Sequence, residues 1–194
     1  MVKLTGNKKL STAVFISGTG SNLNSLIKFS KLRNSPIEIK FVISNNKYAK
    51  GLNFSKRYKI ETKTFSFKKK INTENLILKN LEKRKIRLIC LAGFMKILSK
   101  NFIKKFNGKI LNIHPSLLPK YKGLNTHAKV IANNDKFSGC TVHIVNSNLD
   151  SGKIILQKKV IVRKNESVHS LKKKILKQEH ILYPKAIKKF ISSL

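Results

Sequence analysis

The chain is 194 residues long, 41% hydrophobic and 26% charged, the balance of a globular domain with its own core and not of a disordered chain. It carries 42 Lys and Arg against 8 Asp and Glu, a formal charge of +34, but has no run near the ~20 apolar residues that cross a bilayer and only two cysteines, Cys90 and Cys140. A membrane span and a disulfide scaffold are excluded; with no leader-like apolar run behind Lys3, Lys8 and Lys9, a reduced, cytoplasmic protein is the expectation.

No repeat or Pro/Gly-rich hinge divides the sequence, so a single domain over 1–194 is expected, with 1–12 as a loose N-terminal extension. The first strand is expected at Ala13–Ser17, ending in Gly18-Thr19-Gly20-Ser21-Asn22. A helix follows, with Leu23, Leu26, Ile27 and Ser30 as its stripe. Ile37–Ile43 alternates as a strand, Ala49–Tyr58 reads as a helix and Glu61–Phe65 as a short strand. Thr73 caps a helix through about Lys83. Leu88–Ala92 is a continuous apolar run, as in a strand buried on both faces.

Asn101–Phe106 reads as one or two helical turns and Lys109–Ile113 as another buried strand, followed by a loop punctuated by Pro115 and Pro119. A helix near Thr126–Ala132 precedes two strands, Gly139–Val145 and Ile154–Val162, joined by the polar turn 146–152. A last helix starts after Asn165 or Ser167, and Pro184 is expected to kink or interrupt it. Strand–helix alternation argues for a parallel α/β sheet, and the two late successive strands for an antiparallel edge.

Two segments carry chemistry. The Gly18–Asn22 turn brings backbone N–H groups and a helix N-terminus to one place, where a phosphate is the natural guest; the plainer alternative is a tight turn with Ser21 or Asn22 as helix cap. Leu23 stands where a dinucleotide fingerprint needs its third glycine, and Glu38, twenty residues past Gly18, is a weak substitute signal. In Leu111–Pro119, Asn112 and His114 share one strand face at its C-terminal end, the place where open α/β sheets bind ligands. An amide beside an imidazole stabilises an oxyanion and moves a proton, whereas a satisfied polar strand end does neither. Asp150, one of only two aspartates, lies in a later polar turn, either as a partner for His114 or as an Asx turn before Gly152. His127, His143, His169 and His180 lack metal-ligand spacing, so no metal is expected, and both cysteines read as core.

Taken together, Val14–Leu23, Leu91–Ser99, Asn112–Gly123 and Leu149–Gly152 resemble, in order and over nearly the whole chain, the phosphoribosylglycinamide formyltransferases. The resemblance implies a single α/β domain with a Rossmann-like parallel N-terminal half continuing into a mixed sheet. It implies formyl transfer from 10-formyltetrahydrofolate to the amine of 5'-phosphoribosylglycinamide, a step of purine synthesis. It assigns catalysis to Asn112, His114 and Asp150, and binding of the ribonucleotide to Gly20, Ser21, Asn22 and Glu179. Met95, Lys96, Ile97, Leu98, Asn112, Asn146 and Asp150 would hold the folate, a cosubstrate with no metal. Departures are Lys68–Lys70 near where the family commonly has an Arg, Asn125 where a His is frequent, and Ser151 in place of the first residue of a Gly-Gly pair. The related hydrolase and tRNA formyltransferase carry an added domain for which 194 residues leave no room.

The charge calls up nucleic acid as a rival partner. The cations are spread, 9, 14, 7 and 12 in successive quarters of the chain, and are 37 Lys to 5 Arg. Base and phosphate readout favours the Arg fork. Lys, Asn and Ile make up 79 of the 194 residues, the set that A/T-rich codons favour. Compositional drift, with nucleic-acid binding at most weak and non-specific, is therefore expected, in a monomer or homodimer acting on small molecules. Phe65 and Phe67 beside Lys68–Lys70 form the one spot that mixes aromatics with cations.

Overall fold

A computed structural model describes residues 9–194. The elements, in chain order, are β1 (Leu10–Ile16), α1 (Ser21–Ser30), β2 (Ile37–Ser44), α2 (Leu52–Arg57), β3 (Glu61–Thr64), α3 (Lys70–Lys83) and β4 (Leu88–Leu91). They continue with α4 (Lys100–Lys105), β5 (Lys109–His114), α5 (Thr126–Ala132), β6 (Phe137–Ile144), β7 (Ile154–Ile161) and α6 (Val168–Ile191). The strands form one sheet in the order β3-β2-β1-β4-β5-β6-β7. The first five strands run parallel, β6 adds antiparallel to β5, and β7 adds antiparallel to β6. This is the single mixed α/β domain expected, with its parallel half first.

Alternation along β1 sets the two layers. Val14 and Ile16 face a core shared with Leu23 and Leu26 of α1 and Leu171, Ile175 and Tyr183 of α6. Ala13 and Phe15 face the other, with Ile77 and Leu81 of α3 and Phe102 of α4. Each such fully buried Leu, Ile or Phe contributes about 1.5–3 kcal/mol of transfer free energy. Both faces are covered, so the central strands read as continuous apolar runs.

Several expected boundaries move. β1 begins at Leu10, so Leu10–Thr12 are strand and not loose extension: Leu10 and Ser11 register with Ile37 and Glu38 of β2. Residues 1–8 of the expected extension lie outside the described residues. Thr73 does not cap α3, which starts at Lys70; its hydroxyl donates instead to the Ser66 carbonyl at 2.6 Å. Pro184 does not interrupt α6, a single helix of 24 residues. The missing N–H of Pro184 would orphan the His180 carbonyl, and Ser25 Oγ of α1 donates to that oxygen at 2.9 Å. A neighbouring helix thus supplies the bond the proline removes.

Candidate active site

Because β1, β4 and β5 run parallel, the loops at their C-terminal ends meet on one edge of the sheet, beside the point where the strand order turns back between β1 and β4. The Gly18–Asn22 turn lies there. Gly20, at φ 74°, is the N-cap of α1, and no side chain caps the helix; neither Ser21 nor Asn22 fills that role. A Cβ on Gly20 would stand 2.4 Å from the Gly51 Cα, so the turn packs backbone to backbone against the start of α2. Gly51 N also donates to Gly18 O at 3.0 Å. Gly20→Ala is therefore expected to cost about 1–3 kcal/mol, read as a lower urea midpoint; an unchanged midpoint would refute this packing.

Asn22 is committed elsewhere. Its Nδ2 donates to Glu179 Oε2 of α6 at 2.6 Å, while its buried Oδ1 has no protein partner among the described residues. Burial pushes the Glu179 carboxyl up, and the Asn22 bond only partly offsets this. The native state therefore holds this proton more tightly than the unfolded chain, and stability falls as pH rises from the ordinary carboxylate range through the raised value. Glu179→Gln, which keeps an acceptor for Asn22, is expected to flatten that fall and raise Tm at pH 7 by a few degrees. A Tm below that of the parent chain at pH 7 contradicts the sign.

The β5 end carries the second cluster. Asn112 and His114 project from one face, and Asp150, at φ 45° in the β6–β7 turn, reaches both. His114 Nδ1 lies 3.4 Å from Asp150 Oδ2, and Asn112 Nδ2 lies 3.5 Å from Asp150 Oδ1. Gly123 N donates to Asp150 Oδ2 at 2.8 Å, and His114 Nε2 donates to the Tyr121 carbonyl at 2.8 Å. Burial alone would push the Asp150 carboxyl up. The His143 contact, the Gly123 N–H and the charges of His114 and His143 together hold it below the usual carboxylate range.

His143 is the residue sequence reasoning passed over. It stands directly opposite Asn112 across the β5–β6 ladder. Its Nε2 lies 3.2 Å from Asn112 Nδ2 and 3.7 Å from Asp150 Oδ1, while Nδ1 donates to the Ile144 carbonyl at 3.1 Å. A signal was present: Thr141 and His143 alternate with the apolar Cys140, Val142 and Ile144, and they stand opposite His114 and Asn112. Tyr183 fixes the same region from α6. Its hydroxyl lies 3.1 Å from Leu91 O and 3.0 Å from Leu111 O, tying the ends of β4 and β5 together beneath Asn112.

The stretch after β4 lines the adjoining wall. Met95 and Ile97 are 61% and 65% exposed, Lys96 is exposed, and Leu98 is turned into the core, so only its backbone is available to a ligand. Met95 N donates to Ser17 Oγ at 2.7 Å, tying this stretch to the Gly18 turn. Asn146 is exposed and shapes its own turn, its Oδ1 accepting from Asn148 N at 3.0 Å. Leu149, 52% exposed, adds an apolar lip beside Asp150.

Other residues fall away from this edge. Glu38 lies near the start of β2, at the far end from the Gly18 turn, and pairs with Lys40 at 3.5 Å. Phe65 is buried and Phe67 packs edge-on to Phe94 at 5.6 Å, so neither aromatic offers a stacking platform. Both cysteines are buried and unpaired, their thiols pushed up to about 12 by burial. Among the described residues no group of three or more His, Cys, Asp or Glu could hold a metal ion, and no helix is long and apolar enough to cross a membrane.

A glycine turn at the switch point and an amide–imidazole–carboxylate trio at the end of β5 give an α/β fold of the enzyme kind, with its candidate site on the C-terminal edge of the sheet. The profile of the formyl transferase family matches residues 10–187, and the chain belongs to that family. It is 42% identical to the phosphoribosylglycinamide formyltransferase of Haemophilus influenzae, over 92% of this chain and 85% of that one. It is 43% identical to the human trifunctional purine biosynthetic protein adenosine-3 over 93% of this chain, but spans only 18% of that relative's length. The crystal structure of phosphoribosylglycinamide formyltransferase from Brucella melitensis superposes with a TM-score of 0.90 at 41% identity, covering 94% of this chain and 96% of that one.

Proposed function

We propose that the protein transfers the formyl group of 10-formyltetrahydrofolate to the primary amine of 5'-phosphoribosylglycinamide, a step of purine synthesis. The observation that carries this reading is the convergence of His114 and Asn112 on Asp150, at 3.4 and 3.5 Å. Relatives that carry the activity in their names support it. The ribonucleotide phosphate takes the backbone N–H groups of the uncapped α1 N-terminus at Gly20, Ser21 and Asn22, and Glu179 receives its ribose. The folate lies along Met95–Leu98, where two large apolar side chains are exposed beside the cleft, with Asn146–Asp150 closing over its pterin.

The nucleophile belongs to the substrate, so no protein Ser or Cys is activated. Attack of the amine on the formyl carbon gives a tetrahedral oxyanion, whose collapse breaks the bond from that carbon to the folate nitrogen. The Asn112 and His114 contacts to Asp150, at 3.5 and 3.4 Å, are longer than strong charge-assisted bonds. The Asn112 amide N–H and, with both ring nitrogens of His114 protonated, its Nδ1–H are thus free to close on that oxygen, while Asp150, ionised, balances His114 and takes up the amine proton on its way to the folate nitrogen. Two unpaired thiols fit a reducing, cytoplasmic setting. The test is incubation of the purified protein with both substrates and identification of N-formylglycinamide ribonucleotide; a product formed by transfer to water, or none, overturns the reading.

A further inference from the structure

This chain has two aspartates among 194 residues, and both end on His114. Asp150 does so directly. Asp135 lies just beyond α5 and does so through Tyr121, whose carbonyl receives His114 Nε2 at 2.8 Å. Tyr121 is a non-glycine residue at φ 54°, a left-handed conformation that persists only where surrounding contacts impose it. Those contacts are at hand. The Tyr121 hydroxyl donates to Asp135 Oδ2 at 2.7 Å and accepts from Asn133 Nδ2 at 2.8 Å. On the main-chain side, Ser116 Oγ donates to Lys120 O at 2.6 Å. The residue is held at ring tip and backbone together, so its carbonyl has one direction.

We propose that Asp135 is a positioning residue for His114, acting through Tyr121. With Nε2–H tied to the Tyr121 carbonyl, Nδ1 is the nitrogen turned toward Asp150 and the cleft. Releasing the ring tip lets Tyr121 relax from its left-handed conformation, takes the carbonyl away, and frees the imidazole to rotate or change tautomer. Misplacement of this kind, remote from the chemistry, costs rate more than affinity. The Lys120–Asp135 contact at 3.4 Å is exposed on the lysine side and contributes little. A purely structural Asp135, serving only the turn after α5, would leave His114 undisturbed.

The kinetic arm rests on the formyl-transfer reading; a spectroscopic arm does not. In the full-length protein labelled with 15N-histidine, His114 is expected to show a slowly exchanging Hε2 proton. Tyr121→Phe and Asp135→Ala should each lose that resonance to solvent exchange and lower kcat about tenfold, with KM for both substrates changed less than about twofold. The double variant should be no worse than either single one, because both act through one hydrogen bond. Asp135→Asn, which keeps an acceptor for the Tyr121 hydroxyl, should restore the resonance and most of kcat. Retention of Hε2 and of kcat in both Tyr121→Phe and Asp135→Ala overturns the proposal, as does a loss carried by KM alone. If the parent chain transfers no formyl group, the functional reading fails, and the Hε2 signal still decides whether Asp135 holds His114.

Discussion

Exchange of Asp150 for Asn is expected to lower kcat about 10²–10³-fold, the scale of losing a preorganised charge or donor at a developing oxyanion. The backbone survives the change, since Asn still offers an oxygen to Gly123 N, which donates to Oδ2 at 2.8 Å. What disappears is the negative charge 3.4 Å from His114 Nδ1 and the acceptor for the amine proton. The pH dependence of stability shifts with it. Despite the upward push of burial, the His143 contact, the Gly123 N–H and the neighbouring imidazoles hold the Asp150 carboxyl low. Its stabilising contribution is therefore complete above the unfolded-chain value and is lost as pH falls through the lower native one. The Asn variant should begin less stable at neutral pH and lose less on acidification. Steady-state rates at pH 7 and urea midpoints along an acid series check both halves; a kcat within threefold of the parent would remove Asp150 from the mechanism.

Affinity for short RNA or DNA is expected to drop by about 10³–10⁵ between 50 and 200 mM salt, while formyl transfer changes only a few-fold. A charge of +34 spread over the whole chain attracts any polyanion at low ionic strength, yet it provides no readout. Of the five arginines, Arg84 is taken by Glu61, with Nε donating to Oε2 at 2.7 Å, and Arg87 by the Asn107 carbonyl at 2.9 Å. The aromatics beside Lys68–Lys70 are turned inward, which removes the stacking platform that single-stranded binding uses. Catalysis works at contact distance, where screening over roughly 8–10 Å has little hold. Fluorescence anisotropy with mixed-sequence oligonucleotides, alongside the transfer assay, separates the two. Tight, sequence-selective binding at ~150 mM salt would make nucleic acid a true partner.

Wherever local pattern was decisive, the sequence was legible. The continuous apolar run Leu88–Ala92 and the segment Lys109–Ile113, read as another buried strand, became parallel strands because both faces of the sheet are covered. The polar pair Asn112 and His114 stood out because period-two alternation places them on one face. The proline at 184 misled because its cost was met by Ser25, a residue more than 150 positions away. The start of β1 was missed because Leu10–Thr12 gains its order from pairing with β2, which no local pattern announces.

By itself, then, the sequence determined the class of fold, the number and order of its main elements, and the residue types able to do the chemistry. These follow from short-range periodicity, turn residues and the scarcity of acids in a lysine-rich chain. Tertiary structure alone decided that His143 lies against Asn112, that Asn22 meets Glu179, that Phe67 turns inward, and that Asp135 reaches His114 through Tyr121. Each is a contact set by cross-strand register or by helix packing on the sheet, and such contacts depend on burial shared between segments far apart in the chain.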